Sequence, residues 1–182
     1  VVSNQPLGLK PRGQLNYVKA AQRIGYEIPS CCWHPALSVV ASCRMCLVEV
    51  GDTKPDGTVV MQPKLVPGCQ TPVKEGTVVI ADSEKVKAAQ KATLEYLLLN
   101  HPLDCPTCDQ AGECFLQDYS YKYGRGYSRL QEPKNIKPDK DHIGENITLF
   151  TDRCIMCTRC VRFTREVSGT SGRMRSTCPS SS

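Results

Sequence analysis

Apolar and polar positions change period several times along the chain. Val18, Ala21 and Ile24 share one side of a helix predicted over residues 17–24, with Gly25 as its C-cap. Three β-branched runs follow: CLVEV at 46–50, TVVM at 58–61 and TVVI at 77–80. Turns such as Pro55-Asp56-Gly57 and Glu75-Gly76 separate them. A longer helix is predicted over 83–100. Asp82 or Ser83 caps it, Glu84 suits the positive end of its dipole, Pro102 stops it, and Val86, Ala89, Thr93 and Leu97 form its packing face. A short helix over 111–123 ending at Gly124, an irregular connection over 122–140, a strand over 147–150 and a helix over 161–167 complete the pattern. From Ser168 onward the chain is rich in Ser, Thr, Gly and Arg without periodicity.

The organisation expected from this is α+β, with one ordinary domain or two to three small ones. The boundaries read as 1–81, 82–124, 125–170 and an aberrant, disordered tail over 171–182. No apolar run approaches the ~18–20 residues that span a bilayer, and the start has no export-signal pattern. A soluble, non-secreted chain is therefore expected. Val1 and the closing STCPSSS suggest a fragment.

Composition changes the picture through one residue type. Twelve of the 182 residues are cysteine. Without an export signal, such a share points to metal or redox chemistry and away from a disulfide framework. The net charge of +5 suits an acidic partner or anionic ligand and argues only weakly for nucleic acid. No nucleotide-binding glycine motif is present.

The cysteines form three groups. Cys154, Cys157 and Cys160 have the C-x2-C-x2-C spacing of a bacterial-type ferredoxin loop, which favours an iron–sulfur cluster over zinc. Such a loop takes its fourth ligand from a distant Cys-Pro. Cys178-Pro179 has that dipeptide, but only 17 residues separate it from Cys160; Cys178 is read as a free thiol. The middle group is His101, Cys105, Cys108 and Cys114, in which an imidazole completes the set that three thiolates leave open. A His101 that merely caps the preceding helix, and a Cys3His zinc site, are its rivals. Cys32, Cys43, Cys46 and Cys69 keep a CxxC and a remote partner across β-like sequence, as a two-iron ferredoxin does. Cys31 is spare, a small buried side chain pointing away from Cys32. His34 is read as structural, and His142 draws no role. The aromatic and basic run YSYKYGRGYSR, residues 119–129, is read as a connector packing its tyrosines rather than a nucleic-acid surface.

The stretches IPSCCWHPALSVVASCRMCLVEV, NHPLDCPTCDQAGECFLQDYSYKYG and DRCIMCTRCVRFTREVSG together resemble the N-terminal part of one family. It is the family of the large iron–sulfur subunit of respiratory complex I, known in bacteria as the G subunit of NADH–quinone oxidoreductase. The resemblance covers roughly residues 7–170 in unbroken order. It implies an N-terminal ferredoxin-like β-grasp domain with a 2Fe-2S cluster on Cys32, Cys43, Cys46 and Cys69. A small helical module would follow, with a 4Fe-4S cluster on His101, Cys105, Cys108 and Cys114. A truncated bacterial-ferredoxin-like segment would carry a second 4Fe-4S cluster on Cys154, Cys157 and Cys160. In the family the last ligand lies further on in a Cys-Pro-x-Gly-Ala context; Cys178-Pro179-Ser180 arrives early and lacks the Gly-Ala. That departure, and the absence of the molybdopterin-oxidoreductase-like domain that usually follows, fit a truncated or frame-shifted reading frame. The first strand reads as clipped at Val1.

The implied function is electron relay without an active site of its own: single electrons pass from a flavin- and NADH-binding subunit towards quinone. Other peripheral-arm subunits would be partners, with membrane contact only through them. The implied place is the cytoplasmic side of a bacterial inner membrane, or the mitochondrial matrix side. A relay subunit of an NAD-linked hydrogenase or formate dehydrogenase shares this start. A zinc-binding nucleic-acid module is the rival of another class.

Overall fold

The computed structural model describes residues 15–136, 141–142 and 145–168. Cys178, the clipped first strand and the tail over 171–182 lie outside them. Helix α1, Tyr17–Arg23, starts at Asn16, whose side chain accepts a hydrogen bond from the Lys19 amide at 2.8 Å. It ends in a Schellman motif, in which the Gly25 amide donates to the Gln22 carbonyl and the Tyr26 amide to that of Ala21. Gly25 has φ +75°, as a C-capping glycine should.

Strand β1, Leu47–Thr53, is the centre of a four-stranded antiparallel sheet. It pairs with β2 (Val59–Met61) and β3 (Val66–Pro67) along one edge and with β4 (Thr77–Ile80) along the other. Val48 and Val50 point from β1 into a core with Tyr17, Val18, Ala21, Ile28, Trp33 and Val79. Strand β3 was not expected, because two residues ending in proline carry no period. Its register nevertheless decides where Cys69 goes: Val66 faces Val48, Pro67 faces Leu47, and the Gly68 amide donates to the Cys46 carbonyl at 2.8 Å. A Cβ on Gly68 would stand 3.1 Å from that carbonyl oxygen, so a side chain there would push the two strands apart by a few tenths of an ångström.

Helix α2, Glu84–Leu98, is capped by the Ser83 hydroxyl, which accepts from the Val86 amide at 3.2 Å. Its buried line is Val86, Gln90 and Leu94; the expected Ala89, Thr93 and Leu97 lie beside it and are less covered. The difference arises because α2 packs against both β1 and helix α3 (Phe115–Tyr123), which shifts the centre of the covered face. Helix α3 begins later than expected, since residues 111–113 turn through Gly112 at φ +84°. It ends at Tyr123 before Gly124, as expected of the helix, and so takes in Lys122, the expected start of the irregular connection; Tyr119 is buried, Tyr123 packs beside it, and Lys122 pairs with Glu27. Tyr121 and Tyr127 are exposed, so only part of the tyrosine-rich run packs inward. Strands β5 (Asp141–His142) and β6 (Thr148–Leu149) form a small ribbon. Helix α4, Arg159–Glu166, starts two residues early and takes Cys160 into its first turn.

A second core joins parts distant in sequence: Cys31, Cys32, Cys43 and Met45 meet Leu94, Leu116 and Tyr119, with Ile155 and Cys157 packed on them. Among the described residues, four non-glycine residues have positive φ, Ala41, Arg44, Met156 and Thr158, and all lie between cysteines of the first or third group. Left-handed backbone costs an L-residue about 1–2 kcal/mol, and such positions collect at functional loops.

Two substitutions test this account of stability. Arg44 is exposed at φ +62°. Arg44→Gly is expected to stabilise by about 0.5–1 kcal/mol and Arg44→Val to destabilise by about 1 kcal/mol, both read from thermal unfolding by circular dichroism. Asn16 caps α1 and also donates through Nδ2 to the buried Cys69 carbonyl at 2.8 Å. Asn16→Ala removes both bonds and is expected to cost about 2–3 kcal/mol; a loss no larger than that of a simple cap would show the bond to Cys69 to be idle.

Candidate functional site

The structure brings Cys32, Cys43, Cys46 and Cys69 together at the seam of the two cores, all four thiols buried. Cys46 and Cys69 belong to the sheet core, Cys32 and Cys43 to the helical one. Their sulfurs are in one another's field. Contacts with the Cys43 and Cys69 sulfurs hold the Cys32 thiol well below the usual range, and contact with Cys69 lowers Cys46. Cys43 and Cys69, on the giving side of those contacts, are pushed up. Four crowded thiols cannot all lose protons in an apolar seam unless a cationic group takes the protons' place. That donor set fits an iron–sulfur group. The Cys32 amide also points at the Cys43 sulfur, 3.4 Å away.

Cys31 is buried as expected, but its thiol does not point away from the group. It contacts Cys43, which lowers its own pKa, as does the nearby Arg159. Adjacent residues in an irregular loop need not alternate faces as they would in a strand. His34 is exposed and accepts from the Ala36 amide at 3.2 Å through Nδ1, the local structural role expected of it. His142 lies in β5, with Nδ1 3.3 Å from the Thr148 hydroxyl.

His101, Cys105, Cys108 and Cys114 line one cavity of about 60 Å³ together with Leu98, Pro102, Leu116 and Arg153. Cys105 opens a 3-10 turn over Cys105–Thr107, and Cys114 is the N-cap residue of α3. Burial, with Lys134 nearby, lowers the His101 pKa and favours the neutral imidazole a metal requires. The His101 amide itself donates to the Leu98 carbonyl at 3.2 Å, at the end of α2. Lys134 Nζ donates to the carbonyls of Leu98 and Leu99, at 2.7 and 2.9 Å, covering the end of α2.

Cys154 and Cys160 are exposed and Cys157 is half-buried, in a loop shaped by left-handed Met156 and Thr158. The Met156 amide points at the Cys154 sulfur, 3.4 Å away. Among the described residues, no three His, Cys, Asp or Glu side chains stand so as to share a single metal ion. No helix among them is long and apolar enough to cross a membrane.

Arginines that sequence reasoning missed tie the three groups together. Arg153, which stacks on Phe150 at 3.9 Å, pairs with Asp104 at 3.0 Å, linking the residue before Cys154 to the residue before Cys105. Arg159 donates to the Trp33 carbonyl at 2.6 Å. Arg162 is buried and donates to the carbonyls of Cys32, Ser38 and Cys157. Glu166 accepts from the Ser38 amide at 2.8 Å. The spacing of Arg159, Arg162 and Glu166 on one helical face was the signal available for them.

Comparison with known proteins follows the same three divisions. A 2Fe-2S iron-sulfur cluster binding domain matches residues 16–84. The NADH-ubiquinone oxidoreductase-G iron-sulfur binding region matches 90–129, and the ferredoxin-like domain of NADH-quinone oxidoreductase subunit 3 matches 144–176. The NADH-quinone oxidoreductase G subunits of Rickettsia felis and Rickettsia conorii are each 43% identical over 151 residues. In both cases the match covers 83% of this chain, which spans only 21% of the relative's length. Among solved structures, a chain of an NAD+-reducing [NiFe]-hydrogenase in the H2-reduced state superposes with a TM-score of 0.70 at 28% identity. That match covers 86% of this chain and 62% of the other. The α+β fold is thus ferredoxin-like, with regions for 2Fe-2S and 4Fe-4S clusters. With all three models in sequence and similar relatives along most of its length, the chain belongs to the family of NADH-quinone oxidoreductase G subunits, as its N-terminal iron–sulfur region.

Proposed function

We propose that this chain is an electron relay within NADH:quinone oxidoreductase, carrying single electrons from the flavin- and NADH-binding subunit towards quinone. Cys32, Cys43, Cys46 and Cys69 hold a 2Fe-2S cluster in a β-grasp domain over 1–81. His101, Cys105, Cys108 and Cys114 hold a 4Fe-4S cluster in the module over 82–124. Cys154, Cys157 and Cys160 give three ligands of a second 4Fe-4S cluster in the segment over 125–170. When bound, these groups supply one-electron levels.

The chain's own part is to place, shield and tune them. Burial of the first group excludes water, and the Cys32 and Met156 amides aimed at sulfur stabilise negative charge there. His101, neutral in its half-buried site, leaves the middle set one charge less negative than four thiolates would. No described residue is needed as a general acid, base or nucleophile. The chain sits peripherally, on the cytoplasmic or matrix side, held to the membrane by the other peripheral-arm subunits. The observation that carries this reading is that all three sets are fastened into one packed body by Asp104–Arg153 and by Arg162 on Cys32 and Cys157. A relay needs its centres at fixed separations.

A second reading rests on the structural match to the NAD+-reducing hydrogenase: a relay subunit of an NAD-linked hydrogenase. The chain isolated with its native partners separates the two, by quinone-linked NADH oxidation in one case and hydrogen-linked NAD+ reduction in the other.

Anaerobic purification with iron, sulfide and zinc counted, and low-temperature EPR of the reduced chain, tests the assignment. About six irons are expected if the third set stays incomplete and about ten if a fourth ligand completes it. Zinc without iron or sulfide would sink the relay. Cys32→Ser is expected to remove or alter the two-iron signal alone, and His101→Ala one four-iron signal alone. Loss of all signals together from either change would contradict the separate assignments.

A further inference from the structure

Arg162 reaches both the first and the third cysteine groups through one nitrogen. Its Nη2 donates to the Cys32 carbonyl at 2.5 Å and to the Cys157 carbonyl at 3.1 Å. Nη1 donates to the Ser38 carbonyl, and Nε to the Thr158 hydroxyl at 3.2 Å. The residue is only 7% exposed. None of these four acceptors carries a charge; Glu166, the nearby carboxylate on the same helix, lies within the field of Arg162, but it is exposed to water and its oxygens are bonded to Ser38. A guanidinium taken out of water among neutral acceptors is costly unless anions lie within reach of its field. The two groups it joins are thiolate sites, and such sites carry negative charge when loaded. The middle group has cations of its own, Arg153 paired with Asp104 and Lys134 on the end of α2.

Resting on the relay reading above, we infer that Arg162 is a positioning residue shared by the first and third sites. It sets their potentials together and gives an electron a hydrogen-bonded route between the Cys32 and Cys157 backbones. In that transfer one electron leaves the reduced site and reduces the other; no covalent bond is made or broken and no proton moves. Removing the cation favours the oxidised form at both sites. The expected size is that of a buried unit charge acting across a few side-chain lengths, about a tenfold change in the ratio of reduced to oxidised centre, equivalent to about 59 mV for one electron.

The test is an EPR-monitored redox titration with dithionite of the full chain loaded with iron and sulfide. Arg162→Met is expected to lower the midpoints of the first and third sites by about that amount each and to leave the His101 site unmoved. Arg162→Lys, which keeps the charge, is expected to restore most of both shifts. A shift at one site alone, equal shifts at all three, or a lysine variant that behaves like methionine would each overturn the shared role while leaving the relay intact. Arg162→Gln keeps a donor for the carbonyls without the charge. It decides the matter if the methionine variant does not assemble, with paired shifts supporting the inference and unpaired ones overturning it. An unmodified chain that loads iron only at the first and middle sites overturns the inference but not the relay at those sites. One that takes up no iron or sulfide anywhere overturns both.

Discussion

Between Glu27 and Cys46 the backbone makes no helix and no strand, so its amides and carbonyls must find partners elsewhere or be left dry and unpaired. The partners come from every other part of the molecule. Tyr119 of α3 accepts from the Ser30 amide, and Arg159 and Arg162 of α4 take the carbonyls of Trp33, Cys32 and Ser38. Glu166 takes the Ser38 amide, and Gly68 the Cys46 carbonyl. The loop that gathers Cys32, Cys43 and Cys46 at one seam has no ladder for its backbone. The remainder of the fold is arranged to compensate.

The regular elements were legible because their signals are local. Ser83, Gly25 and the alternating valines of β1 act within a few residues of themselves, and each has the surroundings its chemistry calls for. Strand β3 and the exact buried line of α2 were not legible, since both are decided by what lies across from them. The cysteine groups stood out through composition and spacing. What holds the loops did not: the spacing of Arg159, Arg162 and Glu166 marks a shared face, but nothing local says that its partners are main-chain groups more than a hundred residues away.

The same contrast separates His101 from Cys31. Sequence left His101 divided between ligation and capping, and in the structure its amide bonds the helix end while its imidazole lines the cysteine cavity, with Lys134, far along the connector, covering the same end. Cys31 was expected to turn away from its neighbour, yet its thiol sits against Cys43. An irregular backbone with left-handed Ala41 and Arg44 obeys no alternation.

The contact from Arg162 to Cys32 spans 130 positions of chain. At ribosomal speeds of about 5–20 residues per second, on the order of ten seconds pass between synthesis of the cysteine and synthesis of the side chain that secures its carbonyl. During that interval the sheet core around β1 is available to form, but the seam holding the four thiols is still open on its α4 side. The first group in the sequence is therefore among the last to be closed. The nascent chain keeps that seam reachable until α4 has been made.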